Sequence, residues 1–225
     1  MLCYAIALLV GCFASIANAQ VTEAKQESLT PDQVIERLMS GNKRYVKGEL
    51  SAVDIPERIT ATASGQYPKA VILSCLDSRV PVEKIFDLSI GDIFVGRVAG
   101  NIENEDQLGS MEFATKVAGA KLVMVLGHES CGAVKGACQG VQMGNLTELL
   151  EKIQPAVSSV EGFSAGERTV DNAEFVSAVI KQNVIQTVSD IRRRSPVLLD
   201  LEKSGEIKIV GAVYSLKTGE VSLFE

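Results

Sequence analysis

Four short stretches of the chain are apolar at nearly every consecutive position: Ala70 to Ser74, Ile93 to Val98, Lys121 to Leu126 and Ile207 to Tyr214. They are rich in Val and Ile, and polar or Gly-containing segments follow them. Continuous apolar runs of this length predict strands buried on both faces, as in parallel sheets covered by helices. Between them, apolar residues recur at helical spacing. Glu105 to Ala118 carries Leu108, Met111, Phe113, Ala114, Val117 and Ala118 near a 3.6-residue period. Asn145 to Val160 and Asp171 to Arg194 repeat the pattern, the latter with Val176, Val179, Ile180, Val184, Val188 and Ile191 along one side. Near the front, Thr30-Pro31-Asp32 begins a helix with an N-cap hydroxyl and a proline at the first position. That helix is expected to run to about Lys47 and to display Val34, Leu38 and Tyr45. Gly219 to Glu225 reads as an added edge strand after a turn at Thr218-Gly219.

The alternation of strand and helix predicts an α/β fold: a parallel β-sheet core flanked by helices, with right-handed crossovers, an N-terminal helical arm and a C-terminal edge strand. Ligands in such sheets bind beyond the carboxyl ends of the strands. Residues just past the first and third strands are therefore where chemistry is expected.

At 225 residues the chain fits one domain with a sizeable core, expected over 30–225. The first 19 residues differ from the rest: they carry no charge, include an apolar run from Ala5 to Val10, and end in the small-x-small pattern Ala17-Asn18-Ala19. This predicts a cleaved signal peptide and an exported protein, periplasmic or secreted, although the opening Lys or Arg usual in such signals is missing. The run is too short to span a bilayer, so no membrane span is expected. Leu9-Val10-Gly11-Cys12 offers a minor alternative, a lipid anchor at Cys12. A short polar tail, residues 20–29, is expected to be flexible and to lead into the domain. The formal charge is −6 and the charges are mixed along the chain, unlike the basic footprint of a nucleic-acid binder. The basic run Arg192-Arg193-Arg194 reads as the exposed end of a helix.

The chain has one histidine, His128, in Gly127-His128-Glu129-Ser130-Cys131-Gly132. Cys75 closes the first strand and opens Cys75-Leu76-Asp77-Ser78-Arg79. Thiolate and imidazole are ligands that Zn²⁺ prefers, and two Cys with one His form a three-ligand set that leaves a fourth position open. Zn–S near ~2.3 Å and Zn–N near ~2.0 Å would then hold the ion, with the pKa of a bound water lowered to about 7. Gly132 opens a small-residue helix, Ala133 to Cys138, whose N-terminus favours thiolate over thiol. Removal of the signal leaves Cys75, Cys131 and Cys138, an odd count that argues against a simple disulfide framework. Cys138 reads as a helical spectator, with a disulfide to either neighbour as the competing arrangement. Asp77 either ligates the metal or accepts a hydrogen bond from its water, and bidentate pairing to Arg79 would decide between the two.

The motifs Cys-x-Asp-x-Arg after a strand, Gly-Asp-Ile-Phe-Val-Gly-Arg-Val-Ala-Gly-Asn over residues 91–101, and Gly-His-x-x-Cys-Gly together resemble the beta class of carbonic anhydrases. The resemblance runs from about Thr30 to Phe224 and covers the order, spacing and strand context of every motif. It implies zinc held by Cys75, His128 and Cys131, with Asp77 and Arg79 as a regulatory and orienting dyad. It implies reversible hydration of carbon dioxide to bicarbonate and a proton by a zinc-bound hydroxide. Gln66 matches the family's substrate-binding glutamine, expected to reach across from a partner subunit in a homodimer or a tetramer of dimers. Phe94 and Phe113 fall where the family places aromatics lining the CO₂ pocket; the second is often Tyr there, so no hydroxyl relay carries over.

An aromatic and aliphatic pocket admits apolar CO₂, while bicarbonate needs a few aimed donors, for which the Gln66 amide and backbone N–H groups near Gly132 are candidates. With His128 used as a ligand, no histidine remains to relay protons, so turnover is expected to depend on external buffer. The absence of Trp favours the subclass whose fourth zinc position stays open over the subclass that bicarbonate closes. Two rival readings differ in class: a four-ligand zinc or redox module without catalysis, closed by Asp77 or Cys138, and a cysteine hydrolase using Cys131 with His128. The second lacks an Asn or Asp partner for the histidine.

Overall fold

The structure, a computed structural model, describes residues 22–224. The expected export signal, the alternative lipid site at Cys12 and the first residues of the expected tail lie outside the described residues. The rest of that tail departs from expectation. Glu23–Glu27 form a helix, α1, capped by the Thr22 hydroxyl, and Leu29 is buried. The Gln26 amide donates to the carbonyls of Pro68 and Ala118 at 2.6 and 2.8 Å. A five-residue helix is too short to show a hydrophobic period, and its anchor is one buried polar side chain.

The arm helix α2 (Pro31–Lys47) forms as its ends dictate. Thr30 and Gln33 make a reciprocal capping box, and Gly48 closes the helix with φ 72°. Then follow α3 (Ile55–Thr62), β1 (Ala70–Ser74), α4 (Val82–Ile85), β2 (Phe94–Arg97), α5 (Glu105–Glu112), β3 (Leu122–His128) and α6 (Gly132–Gln139). The remainder is α7 (Gly144–Glu151), α8 (Gln154–Ser159), α9 (Ala173–Arg194), α10 (Pro196–Lys203), β4 (Lys208–Tyr214) and β5 (Val221–Phe224).

The five strands form one sheet in the order β2-β1-β3-β4-β5. The first four are mutually parallel, and β5 pairs antiparallel with β4. This is the expected α/β architecture with its added edge strand. Side chains alternate across the sheet. Ala70, Ile72, Leu122, Met124 and Leu126 pack on one face with Val34 and Leu38 of α2 and Ile85 of α4. Val71, Leu73, Val123 and Val125 pack on the other with Met111, Val184, Ile191 and Leu198. Each fully buried aliphatic side chain stabilises the fold by about 1.5–3 kcal/mol relative to exposure, so β3, buried at all seven positions, is the best-anchored strand.

Two expected helices differ in detail. The stretch Glu105 to Ala118 is α-helical only to Glu112; a π turn over Phe113–Val117 follows and leaves Phe113 and Val117 at 50% and 72% exposure. The stretch Asn145 to Val160 is two helices, α7 and α8. Pro155 lies in the first turn of α8, the place where its missing N–H and fixed φ are tolerated, so the apolar pattern is divided just ahead of it.

Candidate metal centre

Beyond the carboxyl ends of β1 and β3, two loops bring together the residues that the sequence singled out. Register pairs Ser74 with Leu126, so β3 runs two residues further than β1, and His128 ends it opposite Tyr214. Glu129 N–H donates to the Tyr214 carbonyl at 3.0 Å, and Ser130 takes a left-handed conformation with φ 53°, a turn that sends Cys131 towards Cys75. The ligating atoms of Cys75, His128 and Cys131 all lie within 4.8 Å of one another, and all three residues are buried.

The donor set fits a metal ion. Nδ1 of His128 lies 2.8 Å from the Glu129 carbonyl oxygen, which can only accept, so the ring proton belongs on Nδ1. That leaves the Nε2 lone pair pointing inward, and Nε2 is a buried nitrogen with no hydrogen-bond partner among the described residues. Buried polar atoms are nearly always paired, so this one calls for a ligand. The Cys75 and Cys131 sulfurs are 3.9 Å apart, roughly twice the ~2.05 Å of a disulfide bond. Cys75, Cys131 and Cys138 are free thiols; Cys138 sits half-buried in α6.

Charge at the two sulfurs is uneven. Donation from the Cys131 thiol lowers the Cys75 thiol, against the opposing effect of burial and with help from the neighbouring His128 ring and the Gly100 and Asp77 N–H groups. The Cys131 thiol is pushed up by its neighbour Cys75 and by burial. One proton shared between two buried sulfurs is what a divalent cation displaces when thiolates bind it.

Asp77 stands beside this cluster rather than in it. Its Oδ1 accepts from the backbone N–H and Nε of Arg79, both at 2.9 Å, and its Oδ2 accepts from Nη2 at 2.7 Å. The Arg79 guanidinium thereby holds the Asp77 carboxyl well below the usual carboxylate range. The same Oδ2 is 3.8 Å from His128 Nε2, so the carboxylate borders the space in front of the cluster. Arg97 completes the frame: its Nε donates to the Cys75 carbonyl at 3.0 Å and its Nη2 to the Asp77 carbonyl at 2.5 Å. Sequence reasoning gave Arg97 no role, although it ends the Gly-Arg step of the 91–101 motif. Gly132, the first residue of α6, is exposed, with open space where a side chain would begin.

Other expected site residues do not join the cluster within one chain. Gln66 is exposed on the segment between α3 and β1, at the opposite end of β1 from Cys75. Phe94 and Phe113 meet edge to face, with ring centroids 6.3 Å apart. They line a groove of about 810 Å³ along the open edge of β2, together with Val71, Leu73 and Arg97. None of the three ligand candidates lines that groove; Arg97 is what connects the two regions.

The family model for carbonic anhydrase matches residues 70–221. The carbonic anhydrase of Mycolicibacterium smegmatis is 36% identical over 192 residues, spanning 83% of this chain and 89% of the relative. Among solved structures, the β-carbonic anhydrase CafA of Aspergillus fumigatus superposes with a TM-score of 0.65 at 22% identity, covering 86% of this chain and 89% of that one. A structure described as a tetrameric β-carbonic anhydrase of Sordaria macrospora gives a TM-score of 0.66 at 20% identity, covering 85% of this chain and 96% of that one. Motifs, sheet order and relatives agree: the chain belongs to the carbonic anhydrase family and has the fold of its beta class.

Proposed function

We propose that the protein catalyses reversible hydration of carbon dioxide to bicarbonate with zinc held by Cys75, His128 and Cys131. The observation that carries this reading is the buried Nε2 of His128, without a hydrogen-bond partner among the described residues, clustered with two free sulfurs. Bound there, zinc would lower the pKa of a coordinated water to about 7 and so supply the nucleophile. The chain's own residues do the rest. Asp77, kept ionised and turned by Arg79, borders the space in front of the cluster and would accept a hydrogen bond from a water held there. Arg97 fixes the Cys75–Asp77 backbone, so the carboxylate and the first sulfur keep their spacing. Backbone N–H groups near Gly132 are the donors available to the product anion. Arg79 engages both Asp77 oxygens and would hold the carboxylate back from an ion bound by Cys75, His128 and Cys131.

The apolar half of the site is proposed to come from a second copy. Gln66, Phe94 and Phe113 lie away from their own cluster, and β2 exposes an unpaired edge beside a groove lined by both aromatics. Two chains meeting along this edge would each lend these residues to the other. One experiment tests both parts: metal content, mass in solution and CO₂ hydration rate of the same preparation, with and without chelator, across buffer concentrations. One zinc per chain, an oligomer, and a rate that vanishes with the metal and rises with buffer at constant pH are expected. A metal-free chain of full activity would refute the first part, and a fully active monomer the second.

A further inference from the structure

We propose that Asn183, on α9, is a positioning residue for the metal-binding cluster: its amide holds the Gly100 carbonyl and so keeps the Gly100 N–H aimed at the Cys75 sulfur. The inference rests on the reading of Cys75 as a metal ligand.

Asn183 is 2% exposed in the middle of a 22-residue helix. Asparagine is a poor choice there, since it weakens the helix and its amide must be paired once removed from water. Its Nδ2 donates across 83 residues of sequence to the Gly100 carbonyl oxygen, at 2.8 Å. The same residue, Gly100, donates its N–H to the Cys75 sulfur at 3.4 Å. The bond to Asn183 thus fixes one side of Gly100 while the bond to Cys75 uses the other.

That residue needs fixing. Gly100 has φ 75° and Asn101, next to it, φ 45°, two successive left-handed residues on a short turn after β2. A Cβ at Gly100 would lie 2.6 Å from Ile153 Cδ1, so Gly100 itself can carry no side chain to brace its peptide. Bracing comes instead from α9. That helix lies directly on the sheet, because a Cβ at Gly127 or Gly211 would fall 2.6 or 2.9 Å from the Val184 methyl groups. Val184 follows Asn183, and Gly127 precedes His128. One rigid helix therefore sets the approach of β3, which ends in the imidazole, and the turn that serves the first sulfur.

N–H donation to a ligating sulfur orients it and moderates its charge, and such supporting bonds are commonly worth 10–100-fold in metal affinity. Asn183 acts one step further out, so the lower end is expected. The test uses Asn183→Ala and Asn183→Leu. Alanine removes the amide while improving helix propensity, and leucine also fills the vacated volume; if one fails to fold, the other carries the test. The control is Val188→Ala, on the same helix but packed into the sheet-side core. Zinc release to a chelator should be about tenfold faster in the Asn183 variants, from the lower end of that range. Their cobalt-substituted forms should show a shifted thiolate-to-cobalt band. Val188→Ala should lower thermal stability and leave both readouts at wild-type values.

Asn183 variants with unchanged release and an unchanged band would overturn the inference alone. So would a Val188→Ala variant that moved both readouts as far, since that is the signature of general destabilisation. A wild-type chain that took up neither zinc nor cobalt would overturn the metal reading and this inference with it.

Discussion

The two loops that form the cluster are built differently. The loop after β3 is shaped mainly by backbone, with one side-chain bond from the Ser215 hydroxyl to the Glu129 carboxylate, and its ligands are buried: His128 is 0% and Cys131 1% exposed, with a strand-end hydrogen bond and one left-handed residue between them. The loop after β1 contributes one buried sulfur and then opens to solvent. Leu76 is 65% exposed, and the conformation beyond it is held by side chains, with Asp77 gripped by Arg79 and the carbonyls of residues 75 and 77 gripped by Arg97. The division separates two tasks. A rigid backbone loop suits the proposed ligands, which must meet a fixed geometry, and a side-chain-held loop suits the charged groups proposed to act on substrate and proton.

The largest effect should come from the backbone-held loop. Cys131→Ser removes a sulfur that serine's neutral hydroxyl does not replace, and zinc content should fall to near zero. Activity should drop by roughly three orders of magnitude or more, because water without the metal returns from a pKa of about 7 to about 15.7. Metal analysis and CO₂ hydration on the same sample check this, and a Cys131→Ser chain that keeps its zinc would break the comparison at its root. Asp77→Asn probes the other loop. Asp77 is not among the clustered ligand atoms, so zinc should stay at one per chain. Activity should fall by about 10–100-fold, the usual cost of losing a partner just outside the ligand set. Loss of zinc in this variant would make the carboxylate a ligand and merge the two roles.

The sheet was legible because β1, β3 and β4 are nearly continuous apolar runs buried along their length; β2 was expected to be buried on both faces as well, but as the open edge strand it is only partly covered and ends in exposed Arg97. Cys75, His128 and Cys131 were legible for a related reason: each is a chemically rare residue at or just past the carboxyl end of a strand, where an α/β sheet binds its ligands. Asn183, Gly100 and Arg97 were not. Asn183 sits within an apolar helical pattern as one polar exception, and its partner is 83 residues away. Its place three and four residues after Ile180 and Val179 puts it on the buried stripe, a signal the sequence did carry, but nothing local names the carbonyl it would pair with. The π turn after Glu112 and the break before Pro155 were missed because both keep a helical apolar pattern while changing the hydrogen bonds beneath it. The place of Gln66, Phe94 and Phe113 was only half legible. Their types were recognised by resemblance, but their distance from their own cluster is a matter of folding geometry.

The smallest effect bears on what holds the backbone-shaped loop. Tyr214 pairs in register with His128, and its carbonyl takes the Glu129 N–H, while its hydroxyl lies 3.2 Å from that of Tyr45 on the arm helix α2. Burial, with the hydrogen bond to Tyr45, pushes the Tyr214 hydroxyl up to about 12. Between the ordinary value of 10.0 and about 12, the folded chain keeps a proton that the unfolded chain has lost. The contribution is therefore fully present below pH 10 and disappears as the pH climbs through that window. Tyr214→Phe should cost about 1 kcal/mol at neutral pH by deleting the hydroxyl pair, and it should flatten the alkaline decline measured by denaturant unfolding at successive pH values. Because the phenyl ring leaves the main-chain bond to Glu129 in place, zinc content should not change. A Tyr214→Phe chain that released its metal would mean that the Tyr45–Tyr214 hydroxyl pair, and not chiefly the backbone, holds this loop, and the contrast between the two halves of the site would be lost.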